Sequence, residues 1–141
     1  MRVAALGTTP GIGPATVRRV VAHVLAGERC GAANVSVTFL STQRMRALNR
    51  RTFGRDRATD VIAFGLRHDG QVVGDVYIAP DVARRAARER GIPPREELIR
   101  LVVHGTLHVL GYDHPDGTGR TRSAMWTRQE RYVHRVLGRG R

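Results

Sequence analysis

Residues 104–114, HGTLHVLGYDH, space three histidines as a helix needs to hold a metal ion. His104 and His108 are four residues apart, so on a helix both imidazoles leave one face about a turn apart and can share a cation. Gly111 follows three residues later, where a left-handed cap lets the chain reverse and return His114 toward the same ion. Three neutral imidazoles with a fourth position open form the ligand set of a catalytic zinc site. A structural site normally takes four protein ligands, often cysteines, and Cys30 is the sole cysteine. The neighbours Leu101, Val102, Val103, Leu107, Val109 and Leu110 imply a buried helix, in which unligated imidazoles are costly. The expectation is one zinc ion per chain, held by His104, His108 and His114.

The pattern HxxxHxxGxxH also has the ligand spacing of metzincin proteases, which carry Glu directly after the first His as general base. Here that place is Gly105. Without that carboxylate a peptidase loses its proton acceptor, a contribution of about 10²- to 10⁴-fold, and protease function is disfavoured. A missing side chain beside a ligand instead admits a second backbone or a substrate, at about 1 kcal/mol of helix propensity. Asp113, between Tyr112 and His114, is a catalytic candidate that either orients a ligand imidazole or accepts a proton.

The elements that must position these residues are legible as hydrophobic periodicity. MRVAAL reads as a strand, and Pro14 opens a helix whose stripe is Val17, Val20, Val21, Val24 and Leu25. Asn34 to Leu40 alternates as a strand with one buried face, and Ser41 caps a helix to roughly Asn49. A basic loop, Arg50 to Arg57, then leads to a strand over Val61 to Phe64. Asp69 and Gly70 form a hairpin signal before the strand QVVGDVYIA. A helix from about Asp81 stops at Gly91, and the metal helix follows Pro93 and Pro94 with Glu96 and Glu97 in its first turn. A last helix spans roughly Arg120 to Leu137. Thr59 and Asp60 are expected to cap the strand or line the cleft, and Asp75 to mark a strand end facing it. The reading is a single domain over residues 1–141, of α+β or α/β class, with a small mixed sheet and about five helices.

The formal net charge is +12 and the sequence pI about 11.6, with all 24 basic residues other than histidine being arginine. Such a balance favours a polyanion, and nucleic acid over an acidic membrane surface. The proposed tracks are the loop residues Arg50, Arg51, Arg55 and Arg57, and a helix face with Arg84, Arg85 and Arg88. No apolar run approaches the roughly 20 residues that span a bilayer, so a soluble, cytoplasmic protein without a membrane partner is expected. GTTPGIGP lacks the lysine of a Walker loop and the spacing of a dinucleotide fingerprint, so no nucleotide cofactor is expected.

HGTLHVLGYDH, together with LNRRTFGRDRATDVIAF, VGDVYIAP and the region of Met125 and Glu130, resembles the YbeY family of bacterial metal-dependent endoribonucleases and rRNA maturation factors. That resemblance implies zinc on His104, His108 and His114, a mixed four-stranded sheet flanked by helices with a zincin-like metal helix, and RNA, either rRNA or ribosomal particles, as the partner. It also implies processing of the small-subunit rRNA 3′ end and ribosome quality control. One position departs: where the family commonly shows YRGKD, this chain has Thr52, Phe53, Gly54, Arg55 and Asp56. Phe53 stands in place of the arginine associated with activity, leaving Arg50, Arg51 or Arg55 to supply that charge, with Arg55 taken as the catalytic candidate. The rival expectation is a ribosome assembly factor with a zinc site and little or no nuclease activity.

Overall fold

In a computed structural model, which describes residues 1–7, 9–112 and 122–139, the chain packs helices around one four-stranded sheet. The elements are β1 (Arg2–Leu6), α1 (Pro14–Gly27), β2 (Ala33–Phe39), α2 (Thr42–Phe53), β3 (Val61–His68), β4 (Gln71–Ile78), α3 (Pro80–Arg90), α4 (Pro94–Val109) and α5 (Arg122–Val136). The strand order is β1-β2-β4-β3. β1, β2 and β4 run parallel, and β3 pairs antiparallel with β4 at one edge. The mixed α+β fold expected from the sequence is therefore present, with five helices among the described residues.

Period-two alternation sends side chains to two cores. Val35, Val37, Val72 and Val76 face α1, α4 and α5, where they join Val20, Val24, Leu98, Val102 and Leu107. Ile62, Phe64 and Tyr77 lie on the opposite face, against Met45 and Leu48 of α2. The β3–β4 turn carries positive φ at both Asp69 (51°) and Gly70 (74°), the conformation a two-residue hairpin needs to match strand twist.

Two elements run past their expected ends. α2 continues through Arg50 and Arg51 to Phe53 and stops at Gly54, which takes φ 71° as a left-handed cap. Residues 50–53 contain no breaker, so the helix yields only where glycine allows reversal. β3 extends beyond Phe64 to His68, its full length paired with β4. Asp75, expected at a strand end, sits in the middle of β4 and accepts a 2.5 Å hydrogen bond from Ser36 on β2.

α4 lies directly on the sheet because glycines remove side chains where it touches. Gly65 and Gly74 are register partners on β3 and β4. A Cβ on Gly65 would stand 2.3 Å from the Val109 carbonyl oxygen, and one on Gly105 would stand 2.4 Å from a Val76 methyl. What approaches Gly105 is thus the Val76 side chain of β4, where the sequence led us to expect a second backbone or a substrate. Gly65→Ala is expected to destabilise the protein by about 1–3 kcal/mol by forcing α4 off the sheet. Gly31→Ala, where an added Cβ meets nothing within 4 Å, should be close to neutral; urea unfolding of the two variants checks the contrast.

Candidate metal centre and its cleft

Packing buries α4 on nearly every side, including Leu98, Ile99, Leu101, Val102, Val103, Leu107 and Val109. Arg100, His104 and His108, spaced by four, form a half-exposed stripe. The His104 and His108 rings face one another edge to face, with centroids 4.6 Å apart. Two imidazoles sharing one tetrahedral cation at metal–nitrogen distances of about 2.0–2.1 Å place their centroids about 5 Å apart, close to the spacing of this pair.

α5 determines which nitrogen of His104 is available. Gln129 Nε2 donates to Glu130 Oε2 at 3.0 Å, which turns the amide oxygen Oε1 toward His104 Nδ1, 2.6 Å away. An amide oxygen only accepts, so Nδ1 carries the proton and Nε2 keeps its lone pair for a metal. Glu130 is fixed in turn by Arg100, whose Nε and Nη2 donate to its two oxygens at 2.9 and 3.0 Å. Arg100 also reaches Glu96 (3.1 Å) and Glu97 (3.3 Å), while Arg139 pairs with Glu96 and Arg90 with Glu97. Glu96 and Glu97 therefore belong to a buried ionic cluster as well as to the helix dipole. Burial works to raise Glu130 and Glu96, but hydrogen bonds and charge from the arginines, and for Glu130 a hydrogen bond from Gln129, prevail and hold both below the ordinary glutamate range. At Glu97 burial prevails and pushes the carboxyl up.

Beyond α4 the chain is anchored before it leaves the described residues. Gly111 takes φ 98°, the positive value expected of a reversal. Tyr112 Oη donates to Glu28 at 2.6 Å. Glu28 also accepts from Tyr132 at 2.5 Å and Arg128 at 3.2 Å, which ties the end of α1 to both Tyr112 and α5. Asp113 and His114, the remaining catalytic and metal candidates, lie outside the described residues. Among the described residues no group of three His, Cys, Asp or Glu side chains is placed to hold a metal.

The histidines open on a cleft along edge strand β3. One cavity of about 360 Å³ is lined by His104, His108, Asn49, Phe53, Arg55 and Arg57, with Thr59 and Ala63 among its walls. A neighbouring one of about 550 Å³ shares His108, Phe53 and Ala63 and adds Phe64, Arg67 and Tyr112. The loop carrying Arg55 and Arg57 is pinned to α2: Asn49 Nδ2 donates to the Arg57 carbonyl at 2.9 Å, and Arg46 grips Asp56 with two bonds of 2.9 and 3.0 Å. The hydrogen bond from Arg46 holds the Asp56 carboxyl below its usual value. Of the predicted basic track, Arg55 and Arg57 line the histidine cavity. Arg50 and Arg51 instead lie exposed on the last turn of α2, Arg50 within 3.7 Å of Asp56. Arg84 is engaged by Asp81 at 2.8 Å and by Thr9, while Arg85 and Arg88 are exposed on α3 and line neither cavity. Gln129, Asn49 and Arg100 were not singled out from sequence. Only Arg100 left a signal there, as the residue one turn before His104.

The model of the family described as endoribonuclease YbeY matches residues 13–137. Endoribonuclease YbeY of Chlorobaculum tepidum is 35% identical over 86% of this chain and 88% of its own length. That of Geobacillus kaustophilus is 38% identical over 82% and 81%. A solution structure from Thermotoga maritima superposes with a TM-score of 0.70 at 29% identity, covering 97% of this chain and 90% of that one.

Gln129→Ala should weaken affinity for a divalent ion about 10- to 100-fold, since it frees His104 to rotate and change tautomer; competition with a chromogenic chelator reads this. Arg100→Met should cost about 3–5 kcal/mol near neutral pH, because it strands buried carboxylates. In the unaltered protein the lowered pKa of Glu96 and Glu130 contributes stability that is present above the unfolded value of about 4.3 and lost as pH falls through the folded values. The raised pKa of Glu97 acts oppositely, gaining stability as pH falls through it. The gap between Arg100→Met and the unaltered protein should therefore narrow on acidification, which denaturant melts at several pH values would show.

Proposed function

Because this chain belongs to the YbeY endoribonuclease family, we propose that it is a metal-dependent endoribonuclease that hydrolyses phosphodiester bonds of RNA at the cleft beside His104 and His108. The observation that carries this reading is the meeting of two helical imidazoles, one with its tautomer set by Gln129, with two arginines in a single cavity. His104, His108 and His114 would hold the ion, zinc by the chemistry of three imidazoles. A divalent cation there supplies Lewis-acid polarisation of a phosphoryl oxygen and acidifies water.

The chain's own residues bind and orient the substrate. Arg55 and Arg57 present guanidinium groups to phosphate oxygens, and Arg55 is assigned the neutralisation of charge that accumulates in the transition state. Arg50 and Arg51 extend the positive surface along the end of α2. Asp113 is assigned to orient His114 or accept a proton. We take the substrate to be rRNA, in maturation of the small-subunit 3′ end and in ribosome quality control, and the setting to be the cytoplasm. A charge of +12 suits a ribosomal partner, and among the described residues no helix is long and apolar enough to cross a membrane.

A second reading, a ribosome assembly factor with a zinc site and vestigial activity, is favoured by one observation: an uncharged ring, Phe53, lines the cavity beside His108. Cleavage of a model RNA separates the two. The endoribonuclease reading expects hydrolysis that stops with a chelator, returns with zinc, and falls about 10²-fold or more in His108→Ala, the scale lost when one electrostatic partner of a transition state is removed. RNA binding without metal-dependent hydrolysis would establish the assembly factor instead.

A further inference from the structure

One exposed feature of the cleft that the proposed hydrolysis leaves unused is an aromatic ring. Phe53 is 51% exposed at the end of α2, within the most basic stretch of the chain, and its benzyl group adds little to either core. It is nevertheless held in place. Its ring lies nearly parallel to that of Phe64, 12° apart with centroids at 6.3 Å, and Phe64 meets Tyr77 edge to face at 6.1 Å. Three rings thus run from the α2 core to the cleft, and the outermost is half exposed. Phe53, Ala63 and His108 are also the residues common to both cavities.

We infer that Phe53 is a stacking platform for an unpaired nucleobase adjoining the phosphate that His108 and Arg55 face; the inference rests on the endoribonuclease reading. Arg55 and Arg57 flank the ring in one cavity and Arg67 in the other. The occupant this arrangement suits is a chain of alternating negative charges and flat apolar groups. A single nucleic-acid strand has that chemistry, and a peptide does not. A cationic ligand, the other natural partner of an aromatic face, is opposed by the charge of +12. Because every base has a π-face, the platform accepts any base and selects for single strands over duplexes, in which both faces of a base are already stacked. Phe53 positions substrate, and neutralising phosphate charge is left to Arg55.

The test is binding of the full chain to a short single-stranded oligonucleotide with non-hydrolysable linkages and to its abasic counterpart, read by fluorescence anisotropy. Phe53→Ala and Phe53→Leu should each lose roughly 5- to 100-fold in affinity for the base-bearing strand and less than about twofold for the abasic one. Phe53→Trp and Phe53→Tyr should restore it. The salt dependence should be the same in all four variants, because no phosphate contact is removed. Exposure of the ring favours folding of every variant, and the aromatic replacements keep the experiment decisive if Phe53→Ala melts early. Unchanged binding in Phe53→Leu, or an equal loss on the abasic strand, overturns the platform while leaving the endoribonuclease reading intact. Failure of the unaltered protein to bind either strand overturns both.

Discussion

Everything at the site depends on one packing constraint: α4 is pressed onto the sheet and covered by its helical neighbours until, beyond its first turn, only the stripe of Arg100, His104 and His108 remains partly open. Close contact is possible because Gly65, Gly74 and Gly105 stand where side chains would collide with Val109 and Val76. A rigid helix fixes the two imidazoles relative to each other, and the sheet fixes the helix relative to edge strand β3. The cleft therefore exists before any ligand arrives, which lowers the conformational cost of binding.

Polar groups set the chemistry that the packing leaves open. Arg100 gathers Glu96, Glu97 and Glu130, Glu130 turns Gln129, and Gln129 selects the His104 tautomer. Four residues on two helices thus form a relay from a buried ionic cluster to the lone pair on His104 Nε2. On the far wall, Asn49 and the Arg46–Asp56 pair hold the loop that presents Arg55 and Arg57. An exposed pair of that kind contributes little to stability; its effect is to place charge.

Much of this was legible in the residues themselves. The period of Val17, Val20, Val21, Val24 and Leu25 located α1, Asp69 and Gly70 located the hairpin, and the four-residue step from His104 to His108 located the candidate site. These are local signals, set by neighbours a turn or a strand pair away. The extension of α2 to Phe53 was missed because Arg50 and Arg51 looked like loop chemistry, although arginine is a good helix former and the stop signal was Gly54. Arg84 was placed on a nucleic-acid track with Arg85 and Arg88, but Asp81 and Thr9 engage it. Gln129 could not be found from its neighbours, since its role arises only where α5 crosses α4, 25 residues from His104. Phe64 likewise backs Phe53 only after β3 has paired, and that changes an isolated aromatic in a basic run into part of a stack.

The central claim is that the helical imidazole pair, with Nδ1 of His104 committed to Gln129, binds one divalent ion through the opposite nitrogen. Anomalous diffraction at the zinc edge from crystals grown with zinc tests it most directly. The account predicts a single peak about 2.0–2.1 Å from Nε2 of His104 and from a ring nitrogen of His108, with the Gln129 contact intact. No peak between the two rings, or a peak on Nδ1 of His104, would contradict it.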